Sequence, residues 1–126
     1  MDIIITNNSE SPIYEQIKEQ IKTQILNGGL KEGDALPSMR LLAKELRISI
    51  ITTKRAYEEL EREGYIESYT GRGSFVKKIN HEVERERAVY EIETLLDEAL
   101  DKAALAGISM EELARILHTL SEEREK

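Results

Sequence analysis

Five side chains of the chain could between them grip a phosphodiester backbone and the bases it carries: Arg40, Ser49, Thr52, Lys54 and Arg72. Guanidinium and ammonium groups attract phosphate oxygens, hydroxyls donate to those oxygens or to base edges, and arginine reads guanine through two parallel bonds. Ser49, Thr52 and Lys54 lie within a turn and a half at the front of the stretch RISIITTKRAYEEL, and Arg72 stands between Gly71 and Gly73. Glycines let a backbone approach a sugar–phosphate surface, and an arginine at such a tip suits a minor groove. The plainer reading of the two glycines is a tight turn, which is compatible with the first, and that of Arg40 is an ordinary exposed helix arginine, which competes with it. Ile50 and Ile51 sit among these groups where polar side chains are expected, so whether this stretch enters a groove or a core has to be decided by its faces.

The elements that must position these groups follow from spacing and punctuation. Ser11 before Pro12 is a helix start, and Ile13, Ile17, Ile21 and Ile25 recur every four residues as one apolar stripe, ended at Asn27 by Gly28 and Gly29. LKEGDALPS has no helical period and is expected to form a turn with a short extended piece. Ser38 caps a second helix through Leu46, and Ser49, after only Arg47 and Ile48, caps a third running to about Glu63, with Gly64 as its stop. This is a helix-turn-helix pattern. On the third helix Ala56, Tyr57 and Leu60, with Thr53, make the inward side, the Thr53 hydroxyl bonding the Ser49 carbonyl one turn back; Ile50, Lys54 and Glu58 fall elsewhere. YIESYTGRGSFV then reads as two short strands around a Thr70–Gly73 tip. Helix, helix-turn-helix and hairpin in that order define a winged helix.

From about Glu82 the pattern is wholly helical. Val89, Ile92, Leu96, Ala99 and Ala103 are spaced by threes and fours up to Gly107; Ser109 with Glu112 forms a capping box, followed by Met110, Leu113, Leu117 and Leu120. Two helices of this size can hardly bury both stripes by themselves. A partner subunit explains them better than an appendage folded against the first domain. The fold class is therefore mainly α with a small β-hairpin wing, a winged helix-turn-helix domain over residues 11–78 followed by an αα-hairpin over 82–124.

Totals agree with this organisation. At 126 residues there is room for one domain and a small appendage, and 34% charged with 40% hydrophobic residues is a folded, helix-rich composition. The net charge of −7 would argue against a polyanion partner were it evenly spread, but it is not. Residues 36–78 carry 9 basic and 6 acidic side chains, whereas residues 79–126 carry 6 and 13, so the middle is net +3 and the end net −7. The absence of Cys removes disulfides, thiolate metal sites and cysteine nucleophiles, and suits a reducing cytoplasm. The N-terminus lacks a basic region, and no run approaches the roughly 20 apolar residues that span a bilayer, so a soluble, unexported protein with no membrane partner is expected.

Enzyme signatures are missing. His81 and His118 lie far apart and in no metal-ligand spacing, and carboxylates such as Glu82, Glu84 and Glu86 or Asp97, Glu98 and Asp101 are solvated helix faces with Arg85 and Lys102 beside them. Thr70–Gly73 lacks the following helix and the lysine of a nucleotide phosphate loop. No catalytic, metal or cofactor site is expected.

IYEQIKEQIKTQILNGGLKEGDALPSMRLLAKELRIS and TTKRAYEELEREGYIESYTGRGSFV together resemble the winged-helix domain of the GntR family of bacterial transcription regulators, across about residues 11–78. The Gly-Asp-x-Leu-Pro-Ser-x-Arg run, the Leu-Ala pair, the Ala-Tyr-x-x-Leu run and the Gly-Arg-Gly wing stand in the family's order and spacing. The short helical pair behind it looks like the YtrA-like branch, whose members are dimeric repressors, often of operons encoding ABC transporters. The resemblance implies DNA contacts at Arg40, at Ser49, Ile50, Ile51, Thr52 and Lys54 on a recognition helix spanning 49–63, and at Gly71, Arg72 and Gly73 on a wing spanning 65–76. Family members commonly carry arginine or another polar residue where Ile50 stands, a polar one at Ile51, and valine at Thr53. The expected protein is a homodimeric, cytoplasmic repressor on a pseudo-palindromic operator. Its dimer would be held by Val89, Ile92, Leu96, Ala99, Ala103, Leu113, Leu117 and Leu120. The C-terminal segment is too small to predict an enclosed pocket, so a small-molecule effector of unknown identity would bind between subunits, at the junction around residues 77–90, or nowhere. The alternative is a winged helix used for protein–protein contact, with the two isoleucines as its docking patch.

Overall fold

The structure, a computed structural model, describes residues 1–7 and 10–125 of the 126. They divide into two compact units, Met1–Ile79 and Asn80–Lys126. The first contains α1 (Ile13–Leu26), α2 (Met39–Leu46), α3 (Ile50–Arg62), β1 (Ile66–Tyr69) and β2 (Gly73–Val76); the second contains α4 (His81–Ala106) and α5 (Met110–Arg124).

The first unit is built on the stripes that the spacing predicts. Ile17, Ile21 and Ile25 of α1, Leu42 of α2 and Ala56, Tyr57 and Leu60 of α3 meet Tyr65, Ile66 and Val76 of the hairpin region in one buried cluster. One detail differs at the start. Pro12 is the N-cap of α1, not its first residue, and this cap carries no side-chain hydrogen bond. β1 and β2 pair antiparallel with Ile66 opposite Val76 and Tyr69 opposite Gly73. The extended piece expected in LKEGDALPS is a third strand-like edge: Ala35 bridges Phe75, Gly33 and Leu36 donate to the Val76 and Ser74 carbonyls, and the Val76 N–H donates to Asp34.

An ordered N-terminal strap is an addition with no sequence expectation behind it. Gln16 and Gln20 on α1 each use both amide atoms to pair with the backbone of Thr6 and Ile4 respectively, and Gln24 donates to the Asp2 carbonyl. Four helical residues advance about 6 Å and two extended residues about 6.6 Å, so a glutamine every fourth position matches every second residue of an extended chain. Ile3 and Ile5 thereby pack onto the core.

In the second unit α4 starts on an Asn80 cap whose side chain accepts from the N–H groups of Glu82 and Val83, and ends on Gly107 in the left-handed region (φ 71°). Ser109 caps α5 by accepting from the Glu112 N–H. Among the described residues of these two helices only Ala103 is buried. Leu96, Leu100, Leu117 and Leu120 line an apolar groove of about 410 Å³ within the unit.

Candidate nucleic-acid interface

Two serine caps and one strained residue shape the helix-turn-helix. The Ser38 side chain accepts from the Leu41 N–H at 3.1 Å and starts α2, which places Arg40 in its first turn. Arg47 then closes the helix at φ 57°, the only positive-φ residue other than glycine among those described, and the Ile48 N–H returns to the Ala43 carbonyl at 3.0 Å. This lets Ser49 cap α3 immediately, its hydroxyl oxygen accepting from the Ile51 N–H at 3.1 Å. The serine that the resemblance assigns to DNA is thus already a structural cap, with its O–H still available to donate.

The faces of α3 answer the question its sequence poses. Thr53, Ala56, Tyr57 and Leu60 are buried, while Ile50 and Ile51 are 41% and 75% exposed. Both isoleucines are turned away from the core. Lys54 projects outward from the same helix, 3.9 Å from Glu58 one turn on. Thr53 bonds back to the Ser49 carbonyl as expected, though at 3.5 Å.

An open cleft of about 770 Å³ runs between the helices and the hairpin. Arg40, Ile50 and Lys54 line its helical side; Tyr69, Thr70, Gly71 and Gly73 line its wing side. Of the nine residues singled out for DNA, the cleft gathers these two basic groups, one isoleucine and both glycines. Ser49, Ile51, Thr52 and Arg72 stand outside its lining, Arg72 at the exposed hairpin tip where its N–H closes the turn on the Tyr69 carbonyl at 2.9 Å. Gly71 and Gly73 hold φ values of 78° and 103°, which side-chain-bearing residues rarely adopt, so the turn requires both glycines whatever else they do.

Spacing alone left several of the cleft's residues unmarked. Met39, Glu61, Ser68, Tyr69 and Ser74 also line it. Tyr69 is braced on the outer face of the hairpin: its ring lies 6.2 Å from that of Phe75, and its hydroxyl donates to Glu67 at 2.5 Å. That bond raises the phenol above its ordinary pKa and lowers the carboxylate below its own, with Lys77 adding to the second effect. Glu61 was readable in principle, since it sits at the azimuth of Ile50 three turns later. No cluster of groups able to hold a metal ion occurs among the described residues, and no helix among them is long and apolar enough to cross a membrane.

A three-helix core, a tight turn into an outward-facing third helix and a glycine-tipped hairpin beside it define a winged helix-turn-helix protein. Residues 13–76 match the family described as "Bacterial regulatory proteins, gntR family", and the chain belongs to it. It is a transcription regulator with a DNA-binding domain, not an enzyme. It is 38% identical to the HTH-type transcriptional repressor YtrA of Bacillus subtilis (strain 168) over 119 residues, 94% of this chain and 92% of that protein, which puts it in the YtrA-like branch. A solved structure described as a transcriptional antiterminator from Listeria monocytogenes EGD-e covers all of the chain and 91% of its own at a TM-score of 0.76 and 31% identity. The DNA-binding domain of AraR, solved in complex with operator ORX1, matches 60% of this chain and 95% of its own at a TM-score of 0.54 and 25% identity.

Proposed function

We propose that the chain is a homodimeric repressor that acts in the cytoplasm by occupying a promoter. Two winged-helix heads, residues 11–78, meet half-sites of a pseudo-palindromic operator about one helical turn apart, near 34 Å, or a multiple of it. The C-terminal hairpin, residues 82–124, joins the two copies. The observation that carries this reading is the cleft in which Arg40 and Lys54 face the glycine wing across exposed Ile50. Lys54 and Arg40 supply backbone or base contacts, Ser49 and Thr52 donate hydroxyls, and Gly71, Arg72 and Gly73 enter the adjacent minor groove. Ile50 and Ile51 meet thymine methyls, the apolar feature of the major groove. The YtrA likeness supports repression, and the branch resemblance suggests a nearby operon as its target, with ABC transporter genes as the first candidates.

A labelled duplex from the region upstream of the gene tests this at two salt concentrations. The logarithm of affinity should fall linearly with the logarithm of salt, by about 0.9 for each phosphate contacted. Exposed Ile51 also favours a second reading, an apolar docking patch for another protein, and salt-insensitive or absent DNA binding would decide for it.

A further inference from the structure

One wall of the cleft carries a charge of the wrong sign for a groove that receives phosphates. Glu61 follows Ile50 by eleven residues, about three turns and 20° of azimuth, so it shares the outward stripe of Ile50 and Lys54 and lines the same cleft. Its carboxylate is engaged. The Ser68 N–H donates to Glu61 Oε2 at 2.7 Å.

The hairpin's hydrogen-bond pattern explains why that N–H is open to a side chain. The Lys77 N–H donates to the Tyr65 carbonyl, and Glu67 and Tyr69 face Phe75 and Gly73 across the ladder. In an antiparallel pair the backbone groups of alternate residues turn toward the partner strand. Residues 65, 67 and 69 therefore face β2, and the N–H of Ser68 points away from it, toward α3. The link continues inward. The Ser68 and Ser74 hydroxyls are 2.7 Å apart, Ser74 is buried, and its carbonyl accepts from Leu36 on the third edge. A continuous set of polar contacts thus runs from the outward face of α3 through both strands of the hairpin to the chain ahead of α2.

We propose that Glu61 is a positioning residue for DNA recognition: by accepting the Ser68 N–H it fixes the wing against the recognition helix, and so sets the separation between the major-groove and minor-groove contacts. This rests on the DNA reading of the cleft. A carboxylate suits the task because a charge-assisted bond to a backbone N–H is stronger than a neutral one. Contacts in two grooves of one duplex need a fixed spacing, which a loosely hinged hairpin does not give.

The test uses the full-length chain and a duplex selected by the wild-type protein from a random library, with Glu61→Ala, Glu61→Gln and, as a control, Arg40→Ala. Hydroxyl-radical cleavage reports minor-groove protection by the wing, and methylation protection reports the major groove. Glu61→Ala should keep the major-groove signal, lose the wing's protection, weaken binding about tenfold and flatten the salt slope by about one contact. Its Ser68 amide should exchange faster with solvent. Glu61→Gln retains an acceptor oxygen and should restore both the wing protection and the slow exchange, which a loss of general stability would not do. Full wing protection in Glu61→Ala, or its loss in Glu61→Gln to the same extent as in Glu61→Ala, overturns the proposal. If the wild type selects no duplex, or Arg40→Ala binds the selected duplex like the wild type, the reading of the cleft itself fails.

Discussion

The hydroxyl of Tyr57 donates a 2.8 Å hydrogen bond to the carbonyl oxygen of Pro37. It ties the middle of α3 to the residue directly before Ser38, the cap of α2, so one bond from the core registers both helices that flank the cleft. Burial of the ring raises the phenol's pKa, which keeps it protonated and donating throughout the neutral range. Phenylalanine at this position preserves the packing and leaves the Pro37 carbonyl without its partner. Tyr57→Phe should lower stability by about 1 kcal/mol in urea unfolding. It should also weaken DNA binding through the start of α2. An unchanged midpoint would mean that solvent replaces the bond and that the tie does not order the turn.

Thr53 carries the opposite expectation. It is fully buried, and among the described residues its hydroxyl reaches only the Ser49 carbonyl at 3.5 Å, an oxygen that also accepts from the Thr53 N–H at 3.3 Å. A buried hydroxyl with so long a bond recovers little of its desolvation cost. Thr53→Val should therefore raise stability by about 0.5 to 1 kcal/mol, measured by the same unfolding experiment. Destabilisation by a similar amount would show that the hydroxyl is well satisfied and that α3 depends on it.

These two residues also mark what a linear reading reaches. Ile17, Ile21 and Ile25 or Ala56, Tyr57 and Leu60 declare themselves because burying a helix face imposes a period on the residue types. Ser38, Ser49 and Ser109 declare themselves because an orphan N–H at a helix start needs an acceptor close by in sequence. The glutamine ladder of α1 does not, since each amide pairs with backbone atoms, which every residue possesses. Nor does the Glu61–Ser68 bond, which joins two ordinary polar residues only once the hairpin has folded back on α3. Ile50 and Ile51 lie between these cases. Their residue type suggested core, and only the azimuth set by Ala56, Tyr57 and Leu60 turned them outward.

That outward position makes Ile50 the sharpest probe of sequence preference. An isoleucine offers a thymine methyl a dry contact and offers guanine nothing, whereas arginine pairs with guanine O6 and N7 at a gain of about 1 to 3 kcal/mol in discrimination. Ile50→Arg should move the preferred half-site toward guanine at one position while leaving the rest of the site unchanged. Selection from a random duplex library with each protein reads this directly. Identical sites for the two proteins would place Ile50 outside the base-reading surface.

In the proposed dimer the C-terminal hairpin bears on affinity through the number of heads it would bring together. Leu96 and Leu117 are 46% and 58% exposed, on helices whose described residues bury only Ala103, and they line the apolar groove with Leu100 and Leu120. Covering the exposed half of each such leucine is worth about 0.7 to 1.5 kcal/mol, so a second copy seated along the groove would gain what the hairpin cannot gain alone. A carboxylate in its centre would have to be desolvated without a partner. Leu117→Asp should therefore yield a monomer by sedimentation velocity while the first unit keeps its unfolding transition. Losing the link between heads removes their effective concentration at the second half-site, so operator affinity should drop by about 100-fold or more, and a single half-site should bind as before. If the variant stays dimeric, the copies meet through some other surface and the groove is left for a different occupant.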